Sequence, residues 1–222
     1  MAPDQWNAVA LDSQIRASSS NPVMVNDCAV ALWRSASGQV NAWEDRCPHR
    51  GMRLSLGFVE GDQLRCIYHG WGYGTSGQCE VIPAHPGLTP PKTICATRHA
   101  VESRYGLVWA NLASDPQAAL PDLGADEGWQ AVRSIYLAAP LAEARKAVLE
   151  DLAGWGGALT DADVVTLDLA DGTRLAAAFQ PVDATSTGVH FVARGAENGG
   201  RHELARRVVQ MRHQIESKEV KA

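Results

Sequence analysis

Two short stretches, Cys47-Pro-His49 and Cys66-Ile-Tyr-His69, restrict this chain more than any other feature, because together they read C-x-H-x16-C-x2-H. With 5 Cys and 7 His in 222 residues, chance supplies only about 0.16 C-x-H pairs, and a second Cys/His pair at a set distance needs similar luck again. Strand-like runs surround both stretches. Val30-Ala-Leu-Trp33 and Val40-Asn-Ala-Trp43 alternate around Ser-Ala-Ser-Gly, which is a hairpin signal. Leu64-Arg-Cys-Ile67 and Glu80-Val-Ile82, separated by a Gly-rich stretch, read as a second such unit. The Cys/His pairs therefore sit on two loops of an all-β scaffold.

Two metal readings compete for these loops. Two thiolates and two imidazoles suit a tetrahedral zinc. Zinc modules, however, usually present C-x2-4-C and H-x3-5-H, whereas here each loop offers one Cys and one His. Each loop can give one thiolate to one iron and one imidazole to another, which is what a [2Fe-2S] centre of the Rieske type requires. The mixed pattern favours the cluster over zinc.

On Cys47-Pro-His-Arg-Gly51, Gly61-Asp-Gln-Leu-Arg-Cys-Ile-Tyr-His-Gly-Trp71 and Tyr105-Gly-Leu-Val-Trp109, the chain resembles the Rieske proteins, specifically the N-terminal domain of Rieske non-haem iron oxygenases. The resemblance implies that Cys47 and Cys66 bind one iron and His49 and His69 the other, with Arg50, Tyr68 and Trp71 beside the cofactor. Arg50 and Trp71 look like the oxygenase version of the loops. Tyr68 and Trp71 either fill space or keep water from the cluster, which tunes its potential. The respiratory relatives carry an extra Cys in each loop, and Met52 and Tyr68 stand at those positions here.

Residues 1–115 hold all five Cys and read as the all-β Rieske domain, with small antiparallel sheets and two cluster-binding loops. Residues 116–128, rich in Pro, Gly and acids without a period, read as a linker. Residues 129–222 read as α+β, two helical patterns flanking a strand pair, so the whole chain is expected to be α+β. Leu175-Ala-Ala-Ala-Phe-Gln-Pro-Val182 and Gly188-Val-His-Phe-Val-Ala193 form the expected hairpin, followed by a helix from His202 to about Lys218 with Leu204, Val208, Met211 and Ile215 on one buried face.

In the family, a helix-grip domain supplies an Asp and two His to a mononuclear iron through D-x2-H-x4-5-H. The corresponding neighbourhood here is Leu141–Leu152 and its continuation, where Gly154 and Gly157 fall at the ligand positions. No His occurs between His99 and His190. The second part is therefore expected to be a shortened helix-grip-like domain without mononuclear iron, since a full oxygenase subunit of the family is much longer. His85, His99, His190, His202 and His213 are expected in structural or solvated roles, Cys28, Cys79 and Cys95 as small buried residues, and Asp62 and Arg65 as solvated turn charges.

The formal charge of −5 and the absence of a basic run argue against nucleic acid. No apolar stretch reaches the ~20 residues of a membrane helix, the first residues show no secretory pattern, and an odd cysteine count points to a reducing compartment, read as cytoplasmic. The expected function is that of a Rieske [2Fe-2S] electron-transfer or accessory subunit in a hetero-oligomeric oxygenase system. It would take electrons from an NAD(P)H-dependent reductase and deliver them to a mononuclear iron on a catalytic oxygenase subunit, and would not be catalytic alone. The alternatives are an oxygenase (hydroxylase or demethylase) subunit in its own right and a freestanding ferredoxin-like carrier.

Overall fold

The computed structural model describes residues 4–219. Its first ten strands are Asn7–Leu11 (β1), Ser19–Val25 (β2), Cys28–Arg34 (β3), Val40–Glu44 (β4), Phe58–Glu60 (β5), Gln63–Arg65 (β6), Gly72–Gly74 (β7), Cys79–Val81 (β8), Arg98–Arg104 (β9) and Leu107–Asn111 (β10). They form a six-stranded sheet in the order β1-β10-β9-β4-β3-β2 and a four-stranded sheet in the order β5-β6-β7-β8, antiparallel throughout. The β3–β4 hairpin falls where the alternation places it, with Val30 opposite Glu44 and Arg34 opposite Val40. The second unit differs. Leu64 and Arg65 are strand, but Cys66 and Ile67 turn away, and Gly72-Tyr73-Gly74 inside the Gly-rich stretch becomes β7. Glycine disfavours a strand; this one exists because Tyr73 is buried and registers against Leu64 on one side and Cys79 on the other.

The remaining elements are Trp129–Leu137 (β11), Leu141–Ala153 (α1), Ala158–Thr160 (β12), Val165–Asp168 (β13), Arg174–Asp183 (β14), Ser186–Arg194 (β15) and Asn198–Glu219 (α2). Here the sheet has five strands in the order β11-β15-β14-β13-β12, not the single pair expected. Strands β12 and β13 are too short to show a period, and β11 exposes Gln130, Arg133 and Tyr136 along one edge. Helix α2 starts one turn before His202, and its Leu204, Val208, Met211 and Ile215 are buried as the spacing requires.

Both faces of the five-stranded sheet are covered, which explains the unbroken apolar run in β14. Leu175, Ala177 and Phe179 join Val148 and Leu152 of α1 and Val208 and Met211 of α2 in one core. Ala176, Ala178 and Val192 join Leu11, Leu107 and Trp109 from the six-stranded sheet, and Tyr105 from its β9–β10 turn, in another. Residues 112–128 contain no strand or helix, yet they are strapped down. The Asp4 carboxylate accepts hydrogen bonds from Asn111 and from the backbone N–H groups of Gln117 and Ala118, and the Trp6 indole N–H donates to the Ala118 carbonyl. The turn between β2 and β3 also reaches β14, where the N–H groups of Asn26 and Asp27 donate to Pro181 and Val182 at 2.8 and 3.0 Å.

A buried polar chain crosses the same seam. The Gln180 side-chain amide donates to the Met24 carbonyl at 2.8 Å, so its oxygen accepts from His190 Nε2–H at 2.9 Å, and His190 Nδ1 accepts from the Ser134 hydroxyl at 2.8 Å. Complete burial depresses the His190 pKa to about 4. The unfolded chain takes up this proton below the ordinary imidazole pKa of about 6.5, the folded chain only near 4, so stability falls as pH drops through that window. The expected loss is about 3 kcal/mol. Urea midpoints followed from pH 7 to 4 should show this slope, and His190→Gln should flatten it.

Candidate metal centre

The two Cys/His loops adopt one backbone solution. In the first, between β4 and β5, Cys47 N–H donates to the Met52 carbonyl and Gly51 N–H to the Cys47 carbonyl, both at 2.8 Å. In the second, between β6 and β7, Cys66 N–H donates to the Trp71 carbonyl and Gly70 N–H to the Cys66 carbonyl, both at 2.9 Å. Each five-residue turn closes on a glycine with positive φ, +74° at Gly51 and +68° at Gly70. The Cys positions correspond, although the His is third in one loop and fourth in the other.

This arrangement sorts the donors by solvent. Cys47 and Cys66 are each 2% exposed and belong to the core between the sheets, with Trp33, Trp43, Leu54, Leu64 and Tyr73. His49 is half-buried and His69 exposed, with ring centroids 4.8 Å apart at 61°. Trp71 stacks flat on His49, at 4.0 Å and 6°, and Tyr68 tilts over His69 at 3.8 Å. Both aromatics therefore touch the imidazoles directly; Tyr68 remains exposed, and so does Arg50 on the first loop.

Tyr73 was not among the residues singled out from sequence, yet its hydroxyl lies 3.1 Å from Cys47 Sγ. A phenol flanked by glycines on a strand leaving the loop is the available signal, since a buried tyrosine hydroxyl needs a partner. A second support is the buried Asp45 carboxylate, which accepts from Ser55 N–H at 2.7 Å and the Ser55 hydroxyl at 2.6 Å and pairs with Arg53 at 3.1 Å. It ties the two ends of the first loop together.

The electrostatics follow from depth. Burial pushes the Cys66 thiol up, with the adjacent Cys47 adding to it against the N–H groups of Tyr68 and His69. Tyr73 is likewise raised by burial and by Cys47. His49 is held below the ordinary imidazole value by burial, then by the neighbouring His69 and Arg50 charges, which favours the neutral ring that a metal needs. Among the described residues no three His, Cys, Asp or Glu side chains converge on a point that would hold a single ion. The four donors come together as a thiol pair and an imidazole pair, which fits a two-iron cluster better than one tetrahedral zinc.

The other candidates are scattered. Cys79 is buried as expected, but Cys28 and Cys95 are exposed, contrary to expectation, because a strand end and a loop place them at the surface. His85, His202 and His213 are exposed and His99 is half-buried on β9. Asp62 is a solvated turn charge accepting from Ser37 N–H. Arg65 is not solvated: its side chain is 16% exposed and pairs with Glu60 at 2.9 Å. Gly154 caps α1 and Gly157 lies in the turn before β12, so neither stands within a helix.

Residues 5–93 match the Rieske [2Fe-2S] domain. Oxidoreductase NdmD of Pseudomonas putida is 48% identical over 89 residues, covering 39% of this chain and 15% of that protein. The 4beta-methylsterol monooxygenase of Methylococcus capsulatus is 34% identical over 137 residues, covering 58% of this chain and 37% of that protein. The chain thus spans well under half the length of either relative. The structure of NdmB from Pseudomonas putida CBB5 superimposes with a TM-score of 0.75 at 21% identity, over 96% of this chain and 81% of that one; that likeness is one of fold and extends through the five-stranded sheet. The fold and the two loops therefore define a protein with a Rieske [2Fe-2S] domain. More particularly, the iron-sulfur subunit TsaM1 of the toluene-4-sulfonate monooxygenase system of Comamonas testosteroni is 39% identical over 125 residues, covering 56% of this chain and 35% of that protein.

The glycine closures can be tested separately. A Cβ at Gly70 would meet Pro83 at 3.0 Å as well as an unfavourable φ, whereas at Gly51 the nearest atom is the Arg46 side chain at 3.5 Å. Gly51→Ala is expected to cost about 1 kcal/mol and Gly70→Ala more, read from denaturant midpoints. Equal costs would mean that backbone conformation alone sets them.

Proposed function

We propose that this chain is the Rieske electron-transfer or accessory component of an oxygenase system, accepting electrons from an NAD(P)H-dependent reductase and passing them to a mononuclear iron on a catalytic partner subunit. Cys47, Cys66, His49 and His69 are the cluster ligands, and residues 1–115, 116–128 and 129–222 are the Rieske domain, linker and helix-grip-like domain, of which residues 1–3 and 220–222 lie outside the described structure. The observation that carries the reading is the polarity of the loops, thiols in the core and imidazoles at the surface.

A [2Fe-2S] centre held there supplies one-electron redox chemistry. The chain's own residues supply the rest. Cys47 and Cys66 surrender their protons on binding and exclude water from their side of the site by their burial. His49 and His69 present the only solvent-facing edge among the four ligands. Trp71 holds the His49 ring in plane by stacking. With Cys47 deprotonated, the Tyr73 hydroxyl 3.1 Å away would donate to its sulfur and so favour the state with more negative charge on it.

The second half supports an accessory role. The segment from Ala100 to Val189 lacks His, and the space between the five-stranded sheet and both helices is filled by a continuous apolar core. His190 is engaged by Ser134 and Gln180 on the opposite face. Among the described residues no His belongs to that apolar core, so a two-His iron would find no imidazole pair there.

The purified protein is expected to carry two irons and two acid-labile sulfides per chain, and Cys47→Ser or Cys66→Ser to lose both. Stoichiometric zinc without sulfide would overturn the assignment. Tyr73→Phe should keep the cluster but lower its potential by tens of millivolts, since about 1 kcal/mol of lost preference is about 40 mV in a one-electron couple; protein-film voltammetry reads this.

The function itself is tested by turnover. With reductase, NADH and Fe(II), the chain alone should give no oxygen consumption coupled to product, and adding a catalytic subunit that retains D-x2-H-x4-5-H should restore it. Coupled hydroxylation by the chain alone would make it an oxygenase instead.

A further inference from the structure

We infer that the seam between the two halves of the molecule holds a binding site for a small organic cation of the alkylammonium type, in a cavity of about 310 Å³ to which neither Cys/His loop contributes. Trp6 just ahead of β1, Trp109 of β10 and Phe179 of β14 supply its rings, and Asp4 and Asp163 its charges. The strap after β10 forms a further wall. Segments far apart in sequence therefore meet around one space of the size small ligands use.

The rings offer faces and no donors. The Trp6 indole N–H is taken by the Ala118 carbonyl at 2.8 Å and that of Trp109 by the Arg104 carbonyl at 3.1 Å. A ligand in the cavity meets π-surface, whose negative face attracts a cation and repels an anion. Phe179 already shows this preference, because the Arg145 guanidinium lies over its ring, 5.0 Å from the centre.

Charge agrees with the rings. No Lys, Arg or His lines the cavity. Arg145, packed on Phe179, is paired with Asp161 and donates to the Ala162 carbonyl, so it brings no uncompensated positive charge. The Asn111 amide and the Gln117 N–H hold the Asp4 carboxyl below the usual carboxylate range, so it stays ionised. Asp163 is exposed and has no ion pair among the described residues.

A bare metal ion fits the same walls poorly. One Asp4 oxygen is engaged by Asn111 and the other by the N–H groups of Gln117 and Ala118. Among the described residues no three His, Cys, Asp or Glu side chains gather to hold an ion, whereas a hard cation needs a full shell of oxygens. An alkylammonium needs no directed lone pairs. Its charge is spread over methyl groups that pack on the rings while the carboxylates balance it through space.

The test titrates the full chain with tetramethylammonium chloride and with tert-butanol, a neutral molecule of similar shape, at constant ionic strength, reading saturation-transfer NMR of their methyl signals. Tetramethylammonium is expected to bind saturably with a Kd of about 10 mM or below, and tert-butanol about tenfold more weakly or worse. Asp163→Asn should raise the tetramethylammonium Kd about threefold and Trp6→Leu about tenfold, whereas Glu203→Gln on α2 should leave it unchanged. Denaturant midpoints show which variants are folded, and Asp163→Asn, at an exposed position, decides the matter if Trp6→Leu is not. No saturable binding of tetramethylammonium, equal binding of tert-butanol, or a Kd indifferent to Asp163→Asn would overturn the inference. Loss of the cluster assignment above would leave it standing, since no ligand-loop residue lines the cavity.

Discussion

The structure depends on holding two pairs of unlike donors at the boundary between core and solvent. Thiols must face inward and imidazoles outward, on two loops that approach each other from different strands. The chain meets this with the same hydrogen-bonded turn used twice, each closed by a glycine whose N–H returns to the cysteine carbonyl. Because the backbone satisfies its own polar groups within each turn, the cysteines can enter an apolar core without leaving orphaned donors beside them. The small four-stranded sheet exists to present the second turn, and the Asp45–Ser55 link presents the first.

The other half of the molecule is organised around a sheet with no free face. One side of β14 and β15 is packed by α1 and α2 and the other by strands of the six-stranded sheet, so the joint between the halves is itself hydrophobic core. The buried Ser134–His190–Gln180–Met24 chain lies within that joint and fixes its register, because its hydrogen bonds are satisfied only in one placement of β2 against β14. The ligand loops are consequently carried on a rigid platform, which suits a site that must keep its geometry through a change of charge.

Function and surface are linked by the same solvent boundary. With the imidazoles outward, they are the solvent-facing edge of the four candidate donors, and the side chains next to them are exposed as well. Tyr68 and Ile67 flank His69, and Arg50 follows His49, all at the surface. Apolar side chains are thus left in water within a few residues of cysteines that are buried in the core.

The Rieske class of the domain and the β3–β4 hairpin were legible in the sequence, and so were the four candidate donors Cys47, His49, Cys66 and His69, because Cys/His spacing and period-2 alternation are local signals. So were α1 and the buried face of α2, whose Leu204, Val208, Met211 and Ile215 repeat at helical spacing. Strands β7, β12 and β13 were not legible, since three or four residues carry no period and their pairing energy comes from neighbours distant in sequence. The same holds for Tyr73, whose partner Cys47 is 26 residues away, for the stacking of Trp71 on His49, and for the exposure of Cys28 and Cys95. Sequence by itself determined which side chains could bind a cluster. Tertiary structure alone decided which of them face solvent, what touches them and how the two halves share one core, because burial and register are properties of contacts between segments that no single stretch of chain contains.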